Sequence, residues 1–146
     1  METNPPTAAD APRRRGTILP TIARILMGLA FLVFGLIGLL MHPPQKPMPE
    51  AAMAFMGGLM KSGYMFPLIA GTQVIVGALL LLNRFVPLAL VLIMPILVNI
   101  VAFHIFLEPS GFAPGAVLMA LELYLAWSYR HAYCPILTAR VTPGGT

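Results

Sequence analysis

Charge is scarce in this chain: Asp, Glu, Lys and Arg together make up 10% of its 146 residues, against about 25% in soluble domains. Hydrophobic residues make up 58%, so much of the surface must face lipid instead of water. The single cysteine, Cys134, excludes an intramolecular disulfide, a CxxC redox pair and a cysteine-rich metal site. A Gly-rich phosphate loop, a nucleophile elbow and an HExxH motif are all missing. His104 and Glu108 stand one helical turn apart, but two such groups do not make a metal site, and His42 and His131 lie far from them. The net charge of +4 does not point to nucleic acid, because the basic residues flank apolar runs and form no patch. No run alternates apolar and polar residues as a membrane β-barrel strand must.

What the chain does have is four apolar runs, at about 21–41, 65–82, 85–107 and 113–129. At 1.5 Å per residue each comes close to crossing a hydrocarbon core of about 30 Å. They predict an all-α integral membrane four-helix bundle over 18–137, with cytoplasmic tails at 1–17 (disordered) and 138–146. The first run is too long for a signal-peptide core, and His42-Pro43-Pro44 stands where small residues of a cleavage site belong. Pro43, Pro44, Pro47 and Pro49 end the first run. The stretch from Glu50 to Met60, too short to cross, predicts a short interfacial helix between the first two spans. Asn83-Arg84 and Glu108-Pro109-Ser110-Gly111 mark the remaining turns.

Orientation follows from the basic residues. With the N-terminus inside, Arg13, Arg14, Arg15, Arg24, Arg84, Arg130 and Arg140 face the cytoplasm, and Lys46 and Lys61 face out. Seven against two predicts N-in and C-in. Arg24 reads as a residue snorkelling to the inner interface, and Tyr124, Trp127 and Tyr129 as the aromatic belt there. Small residues form stripes, Gly28, Gly35 and Gly38 in the first run and Ala70, Gly77 and Ala78 in the second. Such stripes let helix backbones approach in lipid, within one chain or across a dimer. Pro95 should kink the third helix and free a carbonyl one turn earlier, a common way to open a small cavity.

The polar residues at membrane depth are the candidate site. Glu122 falls near the centre of the fourth run and Gln73 near that of the second. Asn99 lies slightly outward of the midplane, His104 further out and Glu108 at the outer edge. An ionisable group at mid-depth costs about 2.5–3.5 kcal/mol on insertion scales, so Glu122 is expected to face the bundle interior and find a partner. In one reading Glu122, Gln73 and Asn99 form a hydrogen-bonded knot that fixes helix register. In the other they line a pocket or proton path, with His104 linking it to the outer surface.

The chain resembles the DoxX-like family of small four-helix bacterial membrane proteins. The resemblance runs from about Ala23 to Leu137. It rests on Arg24 to Gly28 (RILMG) with Phe31 and Phe34-Gly35, and on Gly63 to Leu68 (GYMFPL) leading into Gly71. It continues through Asn83 to Leu90 (NRFVPLAL), Val98-Asn99 with Phe103-His104, and Leu121 to Trp127 (LELYLAW) followed by Tyr129-Arg130. Relatives carry a Gly-x-x-Glu pattern in the second helix, whereas Gly71-Thr72-Gln73-Val74 stands here. If Gln73 replaces that acid, a two-carboxylate mechanism loses one member, although Gln73 can still hydrogen-bond.

The resemblance implies a quinone- or redox-associated subunit of the bacterial inner (plasma) membrane. Gln73, Asn99, His104 and Glu122 would then line a polar site within the bundle, with quinone as the expected ligand. Electron transfer would require a partner redox subunit, and a homodimer is the other candidate assembly. The rival functions are a non-catalytic structural or assembly subunit and, behind it, a small oligomeric transporter or channel gated by Pro95 and Glu122.

Overall fold

The computed structural model describes residues 15–41, 47–135 and 137. The stretches read from the sequence as tails, apart from 15–17, lie outside the described residues, as do Arg13, Arg14, His42, Lys46 and Arg140. Among the described residues the chain is all helical, without strands. Its helices are α1 (Arg15–Leu40), α2 (Glu50–Lys61), α3 (Met65–Leu81), α4 (Val86–Phe106) and α5 (Phe112–Ser128).

Three helical segments are long and apolar enough to cross a membrane: Ile18–Leu40, Val86–Phe106 and Pro109–Ser128. The bent pair of α2 and α3 makes a fourth if taken as one span, with 86° between its arms. Lipid contact explains why side chains such as Leu26, Phe34, Leu92 and Leu123 stay exposed along these helices. α2 is joined to α3 through Ser62 and Gly63, and Gly63 takes φ +74°, which a residue without Cβ adopts without strain. Asn83 and Phe85 also have positive φ in the tight turn from α3 to α4.

The long helices touch in a ring: α3 packs on α1 and α4, and α5 packs on α4 and α1. The α1–α3 seam is the tightest, and glycine is the reason. A Cβ on Gly77 would lie 2.5 Å from the Leu32 backbone nitrogen and 2.8 Å from the Gly28 carbonyl oxygen. One on Gly35 would lie 2.8 Å from the Ala70 carbonyl oxygen. The stripes that allowed a dimer contact are thus spent against each other inside one chain, where close backbone approach gains dispersion contact.

Arg24 departs from the snorkelling expectation. It is 7% exposed, and its guanidinium donates to the carbonyls of Leu80 and, at 3.4 Å, Leu81. These are C-terminal carbonyls of α3, of which Leu80 also accepts from the Asn83 backbone N–H at 3.2 Å, and a cation at a helix C-terminus complements its dipole. The arginine closes a helix end instead of reaching for headgroups.

The buried core occupies one half of the molecule. Ala23, Met27 and Phe31 of α1 meet Val76 and Leu80 of α3, Val86, Ala89, Leu90, Ile93 and Leu97 of α4, and Leu125 of α5. Most of these positions belong to the α1 N-terminal, α3 C-terminal and α4 N-terminal halves, with Phe31 and Leu97 just past the middle of their helices. Tyr124 and Tyr129 pack against this core, whereas Trp127 is exposed beneath the Arg130 guanidinium, 5.0 Å from its ring centre.

Candidate functional site

The opposite half of the molecule is hollow. A cavity of about 600 Å³ is lined by Phe34 and Gly38 of α1, Phe55, Met56 and Leu59 of α2, a strip of α3 from Met65 to Gln73, and α4 from Pro95 to His104. α3 forms its floor, α1 and α4 its flanks, and α2 crosses as a roof. Phe55 of α2 meets Phe103 of α4 with ring centroids 5.6 Å apart, tying roof to flank.

Three of the four sequence candidates come together here: Gln73, Asn99 and His104 all line the cavity. Gln73 lies about 12 Å along α3 from Met65, and Asn99 about 10 Å along α4 from Phe106, so both amides sit well away from the helix ends. Among the described residues neither side-chain amide has a hydrogen-bond partner. Each offers a carbonyl oxygen and an NH₂ group, so the pair can accept from and donate to one ligand. Pro95 lines the same wall.

His104 plays a different part from the two amides. Its Nδ1–H donates to the Glu108 carbonyl oxygen at 2.9 Å, and the same nitrogen is 3.3 Å from Glu108 Oε2. The ring lies against Gly111, where any Cβ would strike the imidazole. The Glu108 carboxylate accepts from Ser110 Oγ and, at 3.2 Å, from the Gly111 backbone N–H. The Ser110 hydroxyl first, then the Gly111 N–H and His104, hold the Glu108 carboxyl below its usual range. His104 is therefore a strut joining α4 to the start of α5, and it lines the cavity at the C-terminal end of α4.

Glu122 does not join the other three. It is fully buried, absent from the cavity wall, and both carboxyl oxygens lack a hydrogen-bond partner among the described residues. The expected knot with Gln73 and Asn99 is not formed, because α5 packs on the side of the ring away from the cavity. Glu122 lies instead toward the end of α5 that leads to Tyr133. The Tyr133 phenol is pushed up by burial and by Glu122, and its hydroxyl donates to the Pro87 carbonyl at 3.2 Å.

The aromatic lining was not legible as such in the sequence. Phe34, Phe55, Phe66 and Phe103 sit in four different helices, and no spacing rule links them. Among the described residues, no group of three His, Cys, Asp or Glu side chains could hold a metal ion.

The chain matches no protein-family model, no curated protein and no solved structure.

Proposed function

We propose that the chain is a DoxX-like protein of a bacterial inner membrane that binds a quinone in the cavity beneath α2. In this reading it is a four-helix bundle with both ends in the cytoplasm, α2 lying at the outer interface. Among the described residues, Arg15, Arg84 and Arg130 fall at one end of the helices and Lys61 at the other, which supports that orientation.

The observation that carries the reading is the cavity itself. Its volume falls in the range of about 300–1,000 Å³ typical of small-molecule sites. Its wall is apolar and aromatic except for His104 and the two deep amides. Unpartnered amides at membrane depth are costly, and a ligand with carbonyl or hydroxyl groups on a flat ring would satisfy them. With one cysteine the chain has no dithiol pair, so redox function in this reading belongs to an assembly with a partner subunit.

The test is purification in mild detergent, with co-purifying small molecules identified by mass spectrometry and absorbance. Wild type is compared with the Gln73→Leu/Asn99→Leu double variant and with Glu122→Leu as a control away from the cavity. Stoichiometric quinone in wild type and in Glu122→Leu, lost from the double variant, is the expected result. If neither native nor added quinone binds wild type, the reading fails. The glycine-knit α1–α3 seam favours the second reading, a scaffold subunit without ligand, and the same failure would leave it standing.

A further inference from the structure

We infer that the cavity receives only the uncharged head of a tailed lipid, which enters sideways from the bilayer and leaves its chain in the surrounding hydrocarbon. The inference rests on the quinone reading and specifies the form of ligand the site accepts.

Four observations converge on it. The first is where the cavity opens. Of its lining residues, Phe34 on one flank and Pro95 and Asn99 on the other are exposed, and on the roof Phe55 stands at the edge of exposure while Met56 and Leu59 are half-buried, so the opening lies between the flanks along the outward face of α3, toward lipid. The second is the roof. Phe55, Met56 and Leu59 of α2 cover the end nearest the membrane surface, and a ligand arriving from water would have to pass beneath them.

The third is charge. The lining contains no Asp, Glu, Lys or Arg. Its hydrogen-bonding amides lie at a depth where a charged headgroup would be poorly solvated. Phospholipids and ionised fatty acids are thereby disfavoured, and a neutral head is favoured. The fourth is size. A cavity of about 600 Å³ matches a drug-sized body, whereas a long prenyl chain greatly exceeds it. A helix is about 10 Å across with its side chains, so α2 lying over the groove blocks a chain from running along it.

A chain that stays in hydrocarbon gains nothing from the protein, because lipid tails are as apolar as the side chains they would touch. Affinity expressed per mole fraction of ligand in the membrane should therefore not depend on tail length. Full-length protein in lipid nanodiscs is photolabelled with two prenyl-quinone probes, one with a diazirine on the ring and one with it at the tail terminus. Labelled sites are mapped by peptide mass spectrometry. Unlabelled quinones of increasing tail length compete at matched membrane concentrations.

The ring probe is expected to mark α3 near Gln73 and α4 near Asn99. The tail probe should mark the lipid-facing surface beside Phe34 or Pro95, and competition should be flat across tail length. Affinity that climbs with each prenyl unit, or tail label on the α2 underside, overturns the head-only arrangement while leaving quinone binding intact. No saturable labelling by either probe overturns both this inference and the quinone reading.

Discussion

Gly77→Ala should loosen the molecule out of proportion to its size. The new methyl would sit 2.5 Å from the Leu32 backbone nitrogen and 2.8 Å from the Gly28 carbonyl oxygen. Both are backbone atoms of α1, so no rotamer change can relieve the clash. The helices must part by about 1 Å to restore ordinary contact. Overpacking of this kind costs about 1–3 kcal/mol. For a chain of this size that lowers Tm by roughly 2–12 °C. The separation also pulls Arg24, one turn before Gly28, away from the Leu80 carbonyl one turn after Gly77. Gly71, on the same helix, is the control, since a Cβ there meets nothing within 4 Å. Gly71→Ala should hold Tm or raise it, because alanine favours helix by about 1 kcal/mol over glycine. Thermal unfolding in mild detergent, followed by circular dichroism, measures both. If Gly77→Ala melts with wild type, or Gly71→Ala falls as far, the backbone-contact account of the α1–α3 seam is wrong.

Arg24→Leu should destabilise by about 1.5–3 kcal/mol, since the α3 carbonyls lose a charged donor, with Arg24→Lys in between; an unchanged Tm would show that the carbonyls find other partners. Glu122→Leu should raise stability by about 1–3 kcal/mol, because a buried carboxyl without partners is exchanged for an apolar group. A fall in its Tm would reveal a hydrogen-bonding partner for Glu122. Glu108 has a lowered folded-state pKa, so its contribution is complete above the ordinary carboxyl pKa of about 4.3 and is lost as pH falls through the folded value. The Tm gap between wild type and Glu108→Gln should therefore be open at pH 7 and shrink as the medium is acidified below the ordinary carboxyl range; a gap that widens on acidification contradicts the assignment.

Helix positions were legible because length and apolarity alone decide what can sit in lipid. α2 was legible too, as an apolar stretch too short to cross, set between Pro49 and Lys61. Which way each helix faces was not. α3 and α4 are apolar on every side, so nothing in their pattern distinguishes an inward from an outward face. Depth placed Gln73, Asn99 and Glu122 near one another, yet rotation about the helix axes puts the first two on the cavity wall and Glu122 inside. Arg24 misled for a related reason. Its partner carbonyls lie 56 and 57 residues away, and no local spacing announces a helix end that needs a donor. The glycine stripes announced a close contact but not its partner.

The division of the molecule into a filled half and a hollow half makes it mechanically lopsided within the bilayer. At the filled end, lateral pressure from the lipid is borne by side chains already in contact, and it can change little. At the hollow end the same pressure falls on α1, α2 and α4 around a space roofed by a short helix that packs on α3 and meets α4 through the Phe55–Phe103 ring contact. With the orientation and ligand proposed above, thickness, chain order and tension in that one leaflet become determinants of how readily the space is occupied. Two membranes that differ only in the lipids of one leaflet would present this protein in two different states of readiness.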